Sequence, residues 1–325
     1  MIKTSISVIE EAAKNSKNVC AYIIPDIYED EMDLTIEDFK FIPGILTFKA
    51  DDEENPLFYD ENIKLFSSIE QFTAEQFEKA INFLQPIMKN TQFNFVQINI
   101  DIFSMLSGKQ ELASYDPIRS NMFKGSYVFF TNYHLIDKYI QLMTANKPLS
   151  LNEETVWVHE IIHLFDHNAV MQSMAYNTAH SEAEAAKYHL LGFRNEGIAS
   201  LFYFLKNKTN SIKTLEQAKS KFTQYFLTEI EAFKRLDNST GVSMKVNNNK
   251  DLWYEAGPWL ILELFCIEFD SVCEELIERI IYFNENQSPM NDADILEIIQ
   301  WSLHISPERF VHYGFELLKP IYPIN

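Results

Sequence analysis

The sequence predicts an α+β fold, with a sheet-containing lobe in residues 1–149 and a mostly α-helical lobe in residues 150–325. Before residue 150, short apolar segments that are typical of strands accompany one amphipathic helix. After residue 150, apolar residues recur at helical spacing almost to the end of the chain. The composition, 46% hydrophobic with only 8 Gly and 11 Pro, is that of a globular protein with a sizeable core.

Three segments of the first lobe are predicted as strands. Residues 18–24 and 93–102 are rich in apolar and β-branched side chains, and residues 126–131 form the last such run before the helical region. A helix is predicted over residues 73–88, where a capping box precedes apolar residues at helical spacing.

The second lobe is predicted to consist of helices joined by short connections. The longest of these connections contains Asn247-Asn248-Asn249, and the last helix begins with a Ser306 cap and Pro307 at its first position. The predicted helices cover residues 150–170, 180–190, 194–206, 213–235, 252–266, 270–284, 291–304 and 307–318.

The formal net charge of −20 excludes some classes of partner. An acidic surface repels nucleic acid and anionic membranes, so we expect neither as a partner, whereas a basic peptide or protein would be attracted. The sequence shows no secretion signal and no apolar run long enough to span a membrane, which favours a cytoplasmic protein. Its three cysteines are scattered and are expected to be reduced thiols of the core.

The main functional motif is His-Glu-Ile-Ile-His at residues 159–163, an H-E-x-x-H pattern. Positions i and i+4 of a helix project from nearly the same face, so His159 and His163 can offer two imidazole nitrogens to one metal ion. Zinc suits such a site, because it accepts nitrogen and oxygen ligands and leaves a position open for water. Glu160 leans to the side of that face, where it can act as the general base. Apolar residues on nearly all sides predict that the helix is buried.

A catalytic zinc site needs a third protein ligand. Glu196 has the most favourable surroundings, because Gly197 and Ala199 are small and allow their helix to pack close to the His159 helix. Other candidates are disfavoured by their distance along the helix axis or by surroundings that offer no support: His167, His180 and Glu182.

The H-E-x-x-H motif followed by Asn-Glu-Gly-x-Ala at residues 195–199 resembles the gluzincin metallopeptidases, which include thermolysin and aminopeptidase N. The resemblance implies that His159, His163 and Glu196 bind Zn²⁺ and that Glu160 is the general base. It also implies a gluzincin-like architecture, with the zinc site between the two lobes.

Tyr254-Glu255-Ala256-Gly257 is similar to the Tyr-Glu-x-Gly segment of aminopeptidase-N-like enzymes. This similarity implies that the Tyr254 hydroxyl stabilises the oxyanion of the tetrahedral intermediate, with Tyr133 and Tyr203 as substitutes. The segment by which those aminopeptidases hold the amino terminus of the substrate is missing, so aminopeptidase specificity is not implied.

The resemblance further implies that residues 126–131 form the strand at the edge of the substrate cleft, where an extended peptide can pair with the backbone. We therefore predict a zinc metallopeptidase that hydrolyses peptide bonds of a peptide or protein substrate through a zinc-bound water activated by Glu160. The alternative is a catalytically inactive protein of the same fold that captures a peptide or protein partner.

Overall fold

The computed structural model describes residues 21–25, 39–42, 45–48, 75–87, 95–101, 112–117, 126–132, 141–142, 145–174, 181–207, 210–235, 251–268, 275, 277–278, 280, 282 and 290–320. Most of these residues are helical, which confirms a chain that combines strands with a larger helical part. The chain forms two compact units, Met1–Leu164 and Phe165–Asn325. The boundary falls inside the motif helix, whereas the sequence placed it between residues 149 and 150.

The strands of the first unit form one mixed sheet. They are β1 (Ala21–Pro25), β2 (Phe39–Ile42), β3 (Ile45–Phe48), β4 (Phe95–Asp101), β5 (Ala113–Asp116) and β6 (Ser126–Asn132). Their order across the sheet is β2-β3-β1-β4-β6-β5. β1 runs parallel to β3 and β4, and β4 runs parallel to β6. The β2–β3 and β5–β6 pairs are antiparallel.

Strand β6 lies inside this sheet, with β4 on one side and β5 on the other. The resemblance to gluzincins placed residues 126–131 at the edge of the cleft, and the topology corrects this: among the described strands, β5 is the edge strand on that side of the sheet. The sequence did not predict β5, because its four residues are too few for an alternation of apolar and polar side chains to mark a strand. β2 and β3 were also missed, although a Pro-Gly pair at residues 43–44 is a turn signal between them.

The core of the first unit joins the sheet to two helices, α1 (75–84) and α2 (Leu151–Phe165). Trp157 of α2 is fully buried and meets Phe77 of α1 edge to face, with ring centroids 5.3 Å apart. Phe129 of β6 packs against Phe77 at 5.1 Å and against Tyr115 of β5 at 5.3 Å. Since the edge strand and the motif helix share this aromatic cluster, the core fixes where β5 lies relative to α2.

The regular elements described in the second unit are all helices. None of the described helices is long and apolar enough to cross a membrane. In chain order after α2 the helices are α3 (His167–Met174), α4 (Glu182–Ala199), α5 (Leu201–Lys206), α6 (Leu215–Arg235), α7 (Asp251–Glu268), α8 (Asp292–Ser302) and α9 (Pro307–Leu318).

Helix boundaries differ from the predicted ones at two places that concern the motif. The predicted helix over 150–170 is interrupted at Asp166, which separates α2 from α3. The predicted helices 180–190 and 194–206 are instead one long α4 followed by α5, so Glu196 lies in the last turn of α4 rather than near the start of a helix. The Ser306 cap is confirmed, because its hydroxyl accepts a hydrogen bond from the Arg309 backbone at 3.2 Å.

Cys266 on α7 is disulfide-bonded, which corrects the expectation of reduced thiols. That expectation assumed one helix running through Cys266 and Cys273, in which residues seven apart cannot be bridged. The other two cysteines, Cys20 and Cys273, lie outside the described residues.

Helices α4 and α7 touch through their backbones. A Cβ atom added at Gly197 would lie 2.7 Å from the backbone carbon of Gly257, and one added at Gly192 would lie 2.6 Å from the Trp253 ring. The two contacts advance in the same direction along both helices, so α4 and α7 run roughly parallel where they meet. Glycine is required at this crossing because no side chain fits between the two backbones.

A buried polar cluster lies where α4 meets α6. His189 is fully buried, and its Nδ1 is 2.9 Å from the Tyr225 hydroxyl oxygen. Its Nε2 lies 3.8 Å from the Glu229 carboxylate, which is itself buried. Desolvation by burial lowers the pKa of His189 to about 4, so the imidazole is neutral in the folded protein near pH 7.

We expect Gly197→Ala to lower the free energy of unfolding by about 1–3 kcal/mol, because the added methyl group forces two backbones apart. Gly314→Ala is the matched control: its Cβ would meet a side chain, that of Leu190, rather than a backbone. Denaturant unfolding of both variants measures the difference. A smaller loss for Gly197→Ala than for Gly314→Ala would contradict the backbone contact.

The His189 cluster predicts that stability falls in mild acid. The unfolded imidazole takes up a proton near pH 6.5 and the folded one only near pH 4. The free energy of unfolding should therefore drop between these values, by up to about 1.4 kcal/mol per pH unit from this group. In His189→Gln this part of the slope should vanish, whereas the exposed control His312→Gln should keep it. Equal slopes in the two variants, measured by denaturant titration, would argue against the buried neutral imidazole.

Candidate metal centre

The motif residues lie in the C-terminal half of α2. The Nε2 atoms of His159 and His163 are 3.1 Å apart, and their rings meet at an angle of 82°. His163 is nearly buried at 9% exposure, Glu160 is buried, and His159 is half-buried. The i and i+4 spacing therefore brings the two imidazoles together on one face of the helix, as the sequence predicted.

The burial of α2 follows from its apolar residues. Trp157, Val158, Ile161 and Ile162 are all buried, so core packing fixes the rotation of the helix about its axis. The histidine face includes the half-buried His159 and is therefore the less buried side of the helix. A rigid helix is a suitable support for ligands that must be held within a few tenths of an ångström.

Glu196 completes a group of three with the two histidines. One ligand atom from each of His159, His163 and Glu196 lies within 4.8 Å of the others, so the group could hold a metal ion. Neither His167 nor Glu182 belongs to such a group among the described residues, and His180 lies outside them. The helix break at Asp166 explains why His167 is not part of the group, because His167 no longer continues the helical series of His159 and His163.

The donor set fits zinc. Ligand atoms about 2.0–2.2 Å from a tetrahedral zinc ion are about 3.4 Å from one another. The histidine nitrogens, at 3.1 Å, are already near this separation. The carboxylate oxygen of Glu196 lies within 4.8 Å of both nitrogens. Two imidazoles and one carboxylate leave the fourth position open, which is the pattern of catalytic rather than structural zinc.

Glu160 accepts a hydrogen bond from Tyr115, a contact that was not predicted from the sequence. Its Oε2 atom accepts a hydrogen bond of 2.8 Å from the backbone N–H of Tyr115, on the edge strand β5. The bond is buried and joins residues 45 apart in the chain. No local pattern predicts such a contact, because the donor is a main-chain group that any residue supplies.

A buried ion pair connects the end of the motif helix to the helix of Glu196. Asp166 follows α2 directly, and Arg194 lies on α4 two residues before Glu196. Both terminal nitrogens of Arg194 donate to the Asp166 carboxylate, the Nη2 bond measuring 3.2 Å. Arg194 is 1% exposed and Asp166 10%. Neither residue was predicted from the sequence, although an Arg among apolar residues of a helix indicates a buried partner.

The reason given for choosing Glu196 needs a correction. Gly197 was expected to allow close approach to the His159 helix, but its nearest neighbour is Gly257 of α7. Tyr254 lies on α7 one turn before Gly257 and is half-buried. The crossing therefore brings Tyr254 within a turn of the point where α4 and α7 meet. Of the substitutes, Tyr203 is half-buried on α5, and Tyr133 lies outside the described residues.

Comparisons with protein-family models, with curated proteins and with solved structures found no match to this chain. The resemblance to gluzincins thus rests on the motif residues alone, and the family stays a prediction.

We expect Glu196→Gln to weaken zinc binding strongly, because an amide oxygen is a poorer zinc ligand than a carboxylate. Glu182→Gln removes one carboxylate from the same helix, fourteen residues earlier, and is the matched control. Zinc content after dialysis, measured by elemental analysis, should fall only in the first variant. Equal zinc content in both variants would rule out Glu196 as a ligand.

Proposed function

We propose that the protein is a zinc-dependent peptidase. The observation that carries this proposal is the convergence of His159, His163 and Glu196 on one point, with the Glu160 carboxylate on the adjoining residue of the motif helix. Zinc held by the first three residues would polarise the scissile carbonyl group and acidify a water molecule. Glu160 then supplies the base that such a reaction requires.

Glu160 is the proton carrier of the proposed reaction. It takes a proton from the attacking water and passes it to the nitrogen of the departing amine. The hydrogen bond from the Tyr115 backbone supports this role, because it fixes one carboxylate oxygen and limits the rotation of the side chain. A base that is already oriented needs less reorganisation when the substrate arrives.

The substrate is an extended peptide that lies along β5. The Tyr115 N–H points away from β6 and toward Glu160, so Tyr115 is an outward-facing residue of this antiparallel pair. Ala113, two residues earlier, then presents its backbone to the same side. A strand edge with outward backbone groups next to the general base is a suitable surface for β-strand addition.

Tyr254 is the proposed hydroxyl donor to the negative charge that develops on the scissile carbonyl oxygen. This role comes from the Tyr-Glu-x-Gly similarity and is supported by the position of Tyr254 one turn from the α4 crossing. Loss of such a donor typically costs about a hundredfold to a thousandfold in rate.

The decisive variant is Glu160→Gln, which keeps the size of the side chain and removes the base. We expect unchanged zinc content and a loss of turnover of about a hundredfold or more. Glu154→Gln, at an exposed position of the same helix, is the control and should cleave like wild type. Digestion of a peptide library, read by mass spectrometry, gives the rates.

The outcomes separate the proposal from its rivals. Absence of zinc from the wild-type protein after purification and reconstitution would refute the proposal. Zinc binding and peptide capture without any cleavage would instead identify a binding protein. Equal cleavage by wild type and Glu160→Gln would exclude Glu160 as the base.

A further inference from the structure

We propose that Arg194 and Asp166 form a positioning pair that holds Glu196 in register with the two motif histidines; this inference rests on the proposed zinc site. Neither residue is a ligand or a base. Their effect is on the relative placement of two helices, which determines whether three donors can reach one ion.

The place of the pair in the chain is the first support. Asp166 stands three residues after His163 and directly after the last residue of α2. Arg194 stands two residues before Glu196 on α4. The ion pair is thus anchored within one turn of a proposed ligand on each helix. A contact at these points constrains the ligands far more than one at the remote ends of the helices would.

The geometry of the pair is the second support. The two-pronged bond between a guanidinium group and a carboxylate fixes direction as well as distance, which a lysine cannot do. Arg194 Nε also donates to the Ile305 carbonyl at 2.8 Å, and Nη1 donates to the Asn195 amide oxygen at 3.0 Å. The guanidinium group is therefore held on several sides, and Asp166 meets a rigid partner.

Stability alone does not account for a buried ion pair at this position. Replacing such a pair by apolar side chains of similar volume is often neutral or stabilising. A bond between a guanidinium group and a carboxylate differs from an apolar contact because it fixes a direction, and the placement of Glu196 beside the motif histidines requires a fixed direction.

The small tolerance in zinc–ligand distances explains why the direction of the Arg194–Asp166 bond matters. Distances between zinc and its ligands are held within about 0.2 Å. A slip of α4 by a single residue along its axis would displace Glu196 by about 1.5 Å. The loss of a directional contact next to the ligands can therefore weaken metal binding while both helices stay folded.

The test measures zinc affinity in four variants by competition with a chromophoric chelator. Arg194→Lys keeps the charge and loses the two-pronged bond, and Asp166→Asn keeps the shape and loses the charge. The double variant Arg194→Met with Asp166→Leu restores apolar packing. Lys206→Met with Asp292→Leu is the control, since it removes another ion pair of the helical unit.

We expect zinc affinity to fall about 10–100-fold in both single variants, the range for residues that orient metal ligands. The apolar double variant should regain the melting temperature of wild type but not its zinc affinity. When cobalt replaces zinc, its visible absorption bands should change in the double variant and stay unchanged in the control. A purely structural role would restore affinity together with stability.

Two results would contradict the positioning role, and they have different consequences for the proposed peptidase. Zinc affinity of the wild-type level in a folded double variant, or in Arg194→Lys if the double variant does not fold, overturns the positioning role and leaves the peptidase proposal intact. Failure of the wild-type protein to bind zinc overturns both.

Discussion

The direct contact between the backbones of α4 and α7 at Gly197 and Gly257 is the constraint on which the helical unit depends. Helix α4 is surrounded at this crossing by close neighbours, and most of its residues are buried. Within this crowded helix Glu196 stays half-buried, although its neighbours Asn195 and Gly197 are both buried. The carboxylate oxygen of this half-buried Glu196 lies within 4.8 Å of a ring nitrogen of each motif histidine.

Local sequence patterns were sufficient to predict the motif helix, but they were insufficient to predict which helices and strands contact the candidate site. The spacing of His159 and His163 determines their meeting on one face, since only helix geometry is involved. Glu196 was chosen from its small neighbours, and the structure places it in the predicted group. The small neighbour Gly197 serves a different contact from the one foreseen, with α7. Glu196 was thus chosen because a small neighbour indicates close helix packing, although it does not show which helix packs there.

Contacts between distant parts of the chain could not be predicted, and each has a physical reason. The Tyr115 N–H that binds Glu160 belongs to the backbone, so the identity of residue 115 carries no information about it. The pairing of Arg194 with Asp166 depends on a helix break that periodicity did not reveal. The edge position of β5 results from strand order, which is a property of the whole sheet. The sequence therefore predicts the proposed ligands more readily than the groups that contact them.

The bond between Tyr115 and Glu160 also limits how a peptide can lie on β5. An incoming strand pairs with every outward N–H and carbonyl group of the edge, but the Tyr115 N–H is already occupied by the carboxylate. In the proposed binding mode, a peptide would therefore pair with the backbone of Ala113, which lies two residues earlier on the same side of β5. The hydrogen bond that holds the Glu160 carboxylate would thereby also restrict where along β5 a substrate of the proposed peptidase can pair.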